Sequence, residues 1–561
     1  MDNPDKVIYF AETDSRHNRN KFGIKGADRS KHVYVIGKTG MGKSTLLENM
    51  AIQDMRNGNG LAFIDPHGGT AEKILEYVPK ERVQDVLYFA PFDTEHPVAF
   101  NVMEDVGPNK RHLVVSGLMS AFMKLFGEES FSDRMQYITQ NTILALLEYP
   151  GSTMLGINKM LVDKEYRKKV IANITDPSVK AYWTQEYAGY TERFAAEAIP
   201  AIQNKIGQFT SNPLIRNIIG QPKSSFNIRK IMDEKKIMIV NLSKGRVGED
   251  NARLLGSMLI TKIYLAAMSR ADERAVSLAK LPNFYLYVDE FQSFADESFA
   301  DILSEARKYK LNLTIAHQYI EQMDEEVRDA VFGNVGTMIV FRVGAYDAEV
   351  LEKEFAPTFM VEDLVNLGLR QIYLKLMIDS VASQPFSATT MPPIPPSDVS
   401  HADEIIEYSR KTFAQPRSEV EKRITDWHEE GRMASPKDFT PPRVVSAPPV
   451  VKLPEKKPIE KINPPVQVAN RIELKPLPHI SLETLKKSTD NQRKPDVKHV
   501  ADLREALKAV IGNQQVGSQP KVQIQPQPPM QPKPAPRPAD TVGQTKSGPS
   551  QEELKKILDV S

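Results

Sequence analysis

Cysteine is absent from all 561 residues, which removes disulfides, thiolate metal sites and thiol nucleophiles and suits a reducing compartment. Long apolar runs are missing too: no stretch approaches the ~20 consecutive apolar residues that span a bilayer. The opening Met1-Asp-Asn-Pro-Asp5 lacks the basic-then-apolar layout of an export signal. The expected location is therefore cytoplasmic, with any contact at the inner membrane made through partners. Nor is there an excess of one charge, the net value being +1. That balance conceals an asymmetry: from Lys437 onward 21 Lys+Arg face 13 Asp+Glu, against 52 and 59 before it. A mildly acidic body thus precedes a basic tail. Proline is equally uneven, with 26 of 40 in residues 391–561, so the chain holds fewer folded units than its length allows.

What is present is a strand–helix–strand rhythm. Apolar segments at Val7–Phe10, Val33–Ile36, Gly60–Ile64 and Val86–Phe89 predict buried strands of a parallel α/β sheet. Helical periodicity then takes over, as in Leu113, Leu118, Phe122 and Leu125, or Ile138, Ile143, Leu144 and Leu147. Strand-like runs resume at Lys236–Val240, Phe284–Val288, Leu313–Ala316, Thr337–Phe341 and Ile372–Met377. The reading is one P-loop NTPase core of RecA-like type in two parts, residues 1–108 and 235–390, around an all-helical insert at 109–234. A helical linker, 391–432, contains a helix from Ser418 to Glu430. The Pro-rich basic tail, 433–561, cannot bury enough apolar area to offset its ordering entropy and is expected to be disordered. Two amphipathic stretches in it, Val500–Ile511 and Glu552–Val560, are candidates for folding on a protein partner.

The chemistry starts at Gly37-Lys-Thr-Gly-Met-Gly-Lys-Ser44, between an apolar strand and a helix-like stretch. This is a phosphate-binding loop in its required context. The residues from Gly37 through Lys38, Thr39, Gly40, Met41, Gly42, Lys43 and Ser44 to Thr45 would hold ATP: backbone N–H groups wrap the phosphates, Lys43 supplies a point charge and the Ser44 hydroxyl ligates Mg²⁺. Hydrolysis also needs a carboxylate for the metal and a group to activate water. Phe284-Tyr-Leu-Tyr-Val-Asp289-Glu290 offers both at the end of a strand expected beside the loop strand, with Asp289 assigned to Mg²⁺ and Glu290 to the attacking water. The 245 residues from Ser44 to Asp289 leave room for the helical insert. Gln318, at the tip of the next strand, is placed to sense the γ-phosphate. Arg307, eleven residues earlier, is a candidate to reach a neighbouring subunit's phosphate, and Arg342 competes for that role.

With these motifs in order, the chain resembles the HerA–FtsK superfamily of ring-forming ATPases, and within it the type IV secretion coupling proteins of the TraG/TraD/TrwB kind. The likeness rests on Ile36–Thr45, Phe63-Ile-Asp-Pro-His-Gly68, Val288-Asp-Glu-Phe-Gln292, Ala316-His-Gln318 and Gly333-Asn-Val-Gly336, and covers about residues 5–390. It implies a homohexamer with nucleotide sites between subunits, pumping DNA through a central channel for the type IV secretion machinery. It implies further that Arg307 is the trans-acting arginine, that Asp65 sits near the metal, and that the insert receives DNA–protein substrates. One departure stands out, since such proteins usually begin with transmembrane helices and none is seen here. The alternative is a cytoplasmic type IV secretion or pilus assembly ATPase acting on protein. Candidate DNA contacts, Lys110-Arg111, Lys164–Lys169 and the tail lysines, read by default as solvated faces.

Overall fold

The computed structural model describes residues 5–429 apart from 15–18, 105, 296–297 and 397–398. The expected disordered tail, with its two amphipathic stretches, lies outside the described residues. Largely apolar runs are what strands covered on both faces require, and seven such strands pair in parallel. They are β3 (Val33–Ile36), β4 (Gly60–Asp65), β5 (Val86–Phe89), β6 (Ile237–Asn241), β7 (Phe284–Val288), β8 (Leu311–His317) and β9 (Thr337–Val340), in the order β9-β3-β8-β7-β4-β6-β5.

The sheet does not stop there. Beyond β9 it continues antiparallel through β10 (Gln371–Lys375), β13 (Phe386–Thr390), β1 (Val7–Thr13) and β2 (Lys21–Lys25), making eleven strands in all. The expected strand Ile372–Met377 ends at Lys375, because Met377-Ile378 (β11) turns out to pair with Val381-Ala382 (β12) in a separate hairpin.

Alternate residues of each strand feed two cores. Val33, Val35, Leu61 and Phe63 face helix α1 (Lys43–Arg56) and pack with Leu46, Leu47 and Met50. Tyr34, Ile36, Ala62 and Ile64 face the other way, into a cluster shared with Leu255 and Leu259 of the helix Glu249–Met268 and with Phe122, Ile138 and Trp183. The described residues between β5 and β6 form no strand but helices, among them Arg111–Phe126, Asp133–Leu147 and Glu192–Thr210, with turns and one isolated bridge from Val98 to Ala414. Their attachment is close: a Cβ on Gly117 would lie 2.4 Å from Thr261 Cγ2. Helices Ala402–Phe413 and Arg417–Glu429 also dock on the body, burying Ile405 in the α1-side core and Val420 and Ile424 beside Leu155.

A buried ion pair ties α1 to β7. The Arg29 guanidinium donates to both Asp54 oxygens at 2.9 Å and to the Tyr287 hydroxyl at 2.7 Å, while stacking 3.7 Å above the Tyr285 ring. Both charged side chains are at most 1% exposed, so each depends on the other for solvation.

Candidate nucleotide site

Parallel pairing puts the C-terminal ends of β3, β4, β7 and β8 on one edge, where α/β sheets place their ligand sites. The strand carrying the acids is not beside the loop strand, contrary to the sequence expectation: β8 separates β3 from β7. Nothing is lost chemically. The intervening strand delivers Gln318 between the phosphate loop and the acids, and its amide nitrogen donates to the Thr39 hydroxyl.

The loop leaves β3 through Gly37, whose N–H donates to the His317 carbonyl at 3.3 Å. A side chain there would meet Phe341 Cβ at 2.5 Å, and Gly42 enters α1 at φ 117°, a conformation that L-residues avoid. Lys43 is 5% exposed and donates to the Gly37 carbonyl at 2.7 Å. Burial lowers its pKa, and Glu290 and Asp289 oppose that shift. Ser44 Oγ donates to Asp289 Oδ2 at 2.7 Å, so the two groups that the sequence reading assigned to Mg²⁺ meet across 245 residues of sequence. A hydroxyl and a carboxylate are the hard oxygen donors that Mg²⁺ takes beside phosphate and water, and beyond Gly40 the space is open. The residues present fit a nucleotide and its metal.

Asp289 is buried, and its pKa is raised by burial first and then by the charges of Asp65 and Glu290, against the lowering effect of Ser44. Glu290 sits at φ 46°, ψ 51°, a left-handed conformation that costs a non-glycine residue about 1 kcal/mol or more and clusters at functional sites. Its carboxylate accepts from Gln292 Nε2 at 2.5 Å, a contact that the sequence reading did not assign. Asp65 lies on the pocket floor with both oxygens engaged, one accepting from His67 N–H at 2.8 Å and the other from Ala71 N–H at 2.9 Å. Below the loop, His317 is fully buried and bonded to the Tyr34 hydroxyl at 3.1 Å. Burial, with Lys43 nearby, pushes it down to about 3.

The two arginine candidates part company. Arg307 is exposed in a turn before β8, and its charge is felt by His32 at the start of β3. It therefore lies at the opposite edge, roughly 20 Å from its own phosphate loop at ~3.3 Å per strand residue. Arg342 is at the loop: its carbonyl accepts from Lys38 N–H at 2.8 Å, and its side chain is exposed. Arg370 escaped the sequence reading. It sits half-buried at φ 63°, its N–H donating to the Met41 carbonyl at 3.3 Å and its Cγ facing Gly42. Among the proposed DNA contacts, Lys110 pairs with Asp272, Arg111 with Glu148 and Lys168 with Glu165.

A phosphate loop on one strand, twin acids two strands away and a glutamine on the strand between them define a P-loop NTPase with a RecA-like core. Within that class, residues 4–347 match the family of type IV secretory system conjugative DNA transfer proteins, and the chain belongs to it. Among solved structures it is similar to the bacterial conjugative coupling protein TrwBdeltaN70 in its unbound form, with TM-score 0.50 and 13% identity over 68% of this chain and 89% of that one. The plasmid coupling protein TrwB in complex with the non-hydrolysable ATP analogue ADPNP gives 0.50 and 13% over 72% and 98%. VirB4 of Thermoanaerobacter pseudethanolicus gives 0.48 and 13% over 70% and 98%. At these identities the likeness concerns the fold. No curated protein matches the sequence. Among the described residues no helix is long and apolar enough to cross a membrane.

Proposed function

We propose that this chain is an ATP-hydrolysing motor of the conjugative coupling type, assembled as a homohexamer that moves DNA, alone or with attached protein, for a type IV secretion machinery. The observation that carries the reading is the convergence of Lys43, Ser44, Asp289, Glu290 and Gln318 on one sheet edge in a member of the conjugative DNA transfer family. Residues 37–45 cradle the triphosphate, and Lys43 exchanges the carbonyls it now binds for phosphate oxygens. Mg²⁺, held by Ser44 and Asp289, would neutralise charge on those oxygens. Glu290, fixed by its backbone turn and by Gln292, takes the proton of the attacking water; Gln318 reports the terminal phosphate to Thr39. Asp65 orders the turn on the pocket floor and reaches the metal shell through water. Arg307 acts on the adjoining subunit, because its distance from its own loop leaves it no role in cis.

Steady-state ATP hydrolysis by the full chain, with and without single- and double-stranded DNA, tests this. DNA should raise the rate severalfold. A rate indifferent to both DNA forms but raised by a secretion-system protein favours the assembly-ATPase alternative.

A further inference from the structure

The strand that carries the phosphate loop, β3, lies between β9 and β8, and one buried carboxylate connects the segments that follow these two neighbours. Asp347 stands in the first turn of the helix Ala345–Phe355, which follows β9. It is 3% exposed, and its Oδ1 accepts at 2.9 Å from the N–H of Ile320, beyond the end of β8. Burial first, and Glu321 after it, raise its pKa; the N–H groups of Ile320 and Gly344 and the charge of Lys38 in the phosphate loop lower it. Its own charge is felt by Tyr34 of β3, so the carboxylate reaches past the end of the loop strand.

The turn it holds is the one that carries Gln318. On one side of that residue His317 ends β8, in register with Ile36 and bonded through its ring to the Tyr34 hydroxyl. On the other, Ile320 is 2% exposed and opens a short helical turn. Only Gln318 and Tyr319 stand between these anchors, so the Gln318 backbone has little room to shift while Ile320 is held. From there its amide nitrogen donates to the Thr39 hydroxyl. An acid in a first helical turn serves its own helix through the nearest N–H groups and the dipole, and that service needs no bond to a segment two strand positions away. Without the carboxylate, the buried Ile320 N–H loses its acceptor, a state that native structures avoid by moving the donor.

We infer that Asp347 is a positioning residue, whose carboxylate fixes the turn at Ile320 so that the Gln318 amide stands where the terminal phosphate of a bound nucleotide arrives. This rests on the reading of Gln318 as the γ-phosphate sensor, and adds to it the group that keeps sensor and phosphate loop in register.

The test measures, by equilibrium binding to the full chain, the affinities for a non-hydrolysable ATP analogue and for ADP, both with Mg²⁺, so that no turnover is required. Wild type should prefer the analogue. Gln318→Ala should reduce that preference about tenfold, and Asp347→Ala should reduce it to a similar extent while ADP affinity stays within about threefold of wild type. The double variant should be no worse than Gln318→Ala alone, because effects exerted through one group do not add. Asp347→Asn keeps the side-chain shape but offers one acceptor oxygen, so it should fold even where alanine does not and still lose the preference severalfold. A lowered Tm with the preference intact in both Asp347 variants marks the carboxylate as a helix cap and overturns the inference, as do additive losses in the double variant. A preference absent from wild type, or untouched by Gln318→Ala, brings down the sensor reading and this inference with it.

Discussion

Asp289→Asn separates two jobs the pocket can do, supporting the fold and supporting a metal. The carboxylate is 3% exposed and accepts from Ser44 Oγ at 2.7 Å and from Glu290 N–H at 2.9 Å. Asparagine keeps the shape and one acceptor oxygen while removing the charge. The hydroxyl bond then falls from the ~1.5–3 kcal/mol of a charge-assisted contact to about 1 kcal/mol. Against this, the variant no longer buries a charge, nor sets one beside Asp65 and Glu290; burial first and those two charges after it are what raise the Asp289 pKa. The two effects oppose each other, so stability without nucleotide should change by no more than about 1 kcal/mol, or ~2 °C in Tm. With a non-hydrolysable ATP analogue and Mg²⁺ at about 100 times Kd, the wild-type chain should gain about 2.7 kcal/mol. The variant should lose most of that gain. Thermal unfolding followed by circular dichroism, with and without nucleotide and Mg²⁺, reads both numbers. The reasoning is refuted if Asp289→Asn costs more than ~3 kcal/mol without nucleotide, or if its nucleotide-dependent shift equals that of wild type.

The Arg29–Asp54 pair should respond in the opposite sense, since Asp54→Ala strands a fully buried guanidinium and should cost about 3–5 kcal/mol in urea unfolding. An apolar replacement of both partners should recover much of the loss; equal damage from both variants would contradict this. His32 and His317, held down to about 4 and about 3 by burial, bind fewer protons folded than unfolded, so stability rises with pH between those values and ~6.5. Lowering the pH from 7.5 to 5 should cost roughly 2 kcal/mol per histidine. His317→Gln should therefore lose about 2 kcal/mol less than wild type over that interval, and equal losses would argue against a neutral buried imidazole.

The parallel half of the sheet was legible because strands covered on both faces must be largely apolar, and Val33–Ile36, Val86–Phe89 and Phe284–Val288 appear in the structure with the bounds the sequence suggested. Of the antiparallel flank, β1 and β10 were read as strands but placed in the parallel sheet, and β2 and β13 were not read at all. Lys21-Phe-Gly-Ile-Lys25 and Phe386-Ser-Ala-Thr-Thr390 are short, and one contains glycine and the other mostly small or polar residues, so neither stands out from loop. Neighbour order was equally hidden, because periodicity identifies elements without saying which pair, and the acid strand was placed one position too close to the loop strand.

Within the site, the phosphate loop and twin acids could be read because their chemistry is concentrated in a few adjacent residues. Gln292 lay inside a recognised motif, but its bond to Glu290 follows from the left-handed turn at Glu290, which no sequence pattern announced. Arg370 reaches the loop from the turn just before β10, a strand that was read without its antiparallel pairing beside β9. Residues 402–429 pack through Ile405 on the first helix and through Val420 and Ile424, four residues apart on one face of the second; the second helix was read from the sequence, its docking was not.

The central claim is that the pocket joining Lys43, Ser44, Asp289 and Glu290 cuts a bound triphosphate. Its most direct test compares wild type with Glu290→Gln for ATP affinity by equilibrium binding and for single-turnover hydrolysis. Affinity within about threefold of wild type, with hydrolysis slowed by ~10² or more, is the predicted result. Hydrolysis by Glu290→Gln at the wild-type rate would contradict it.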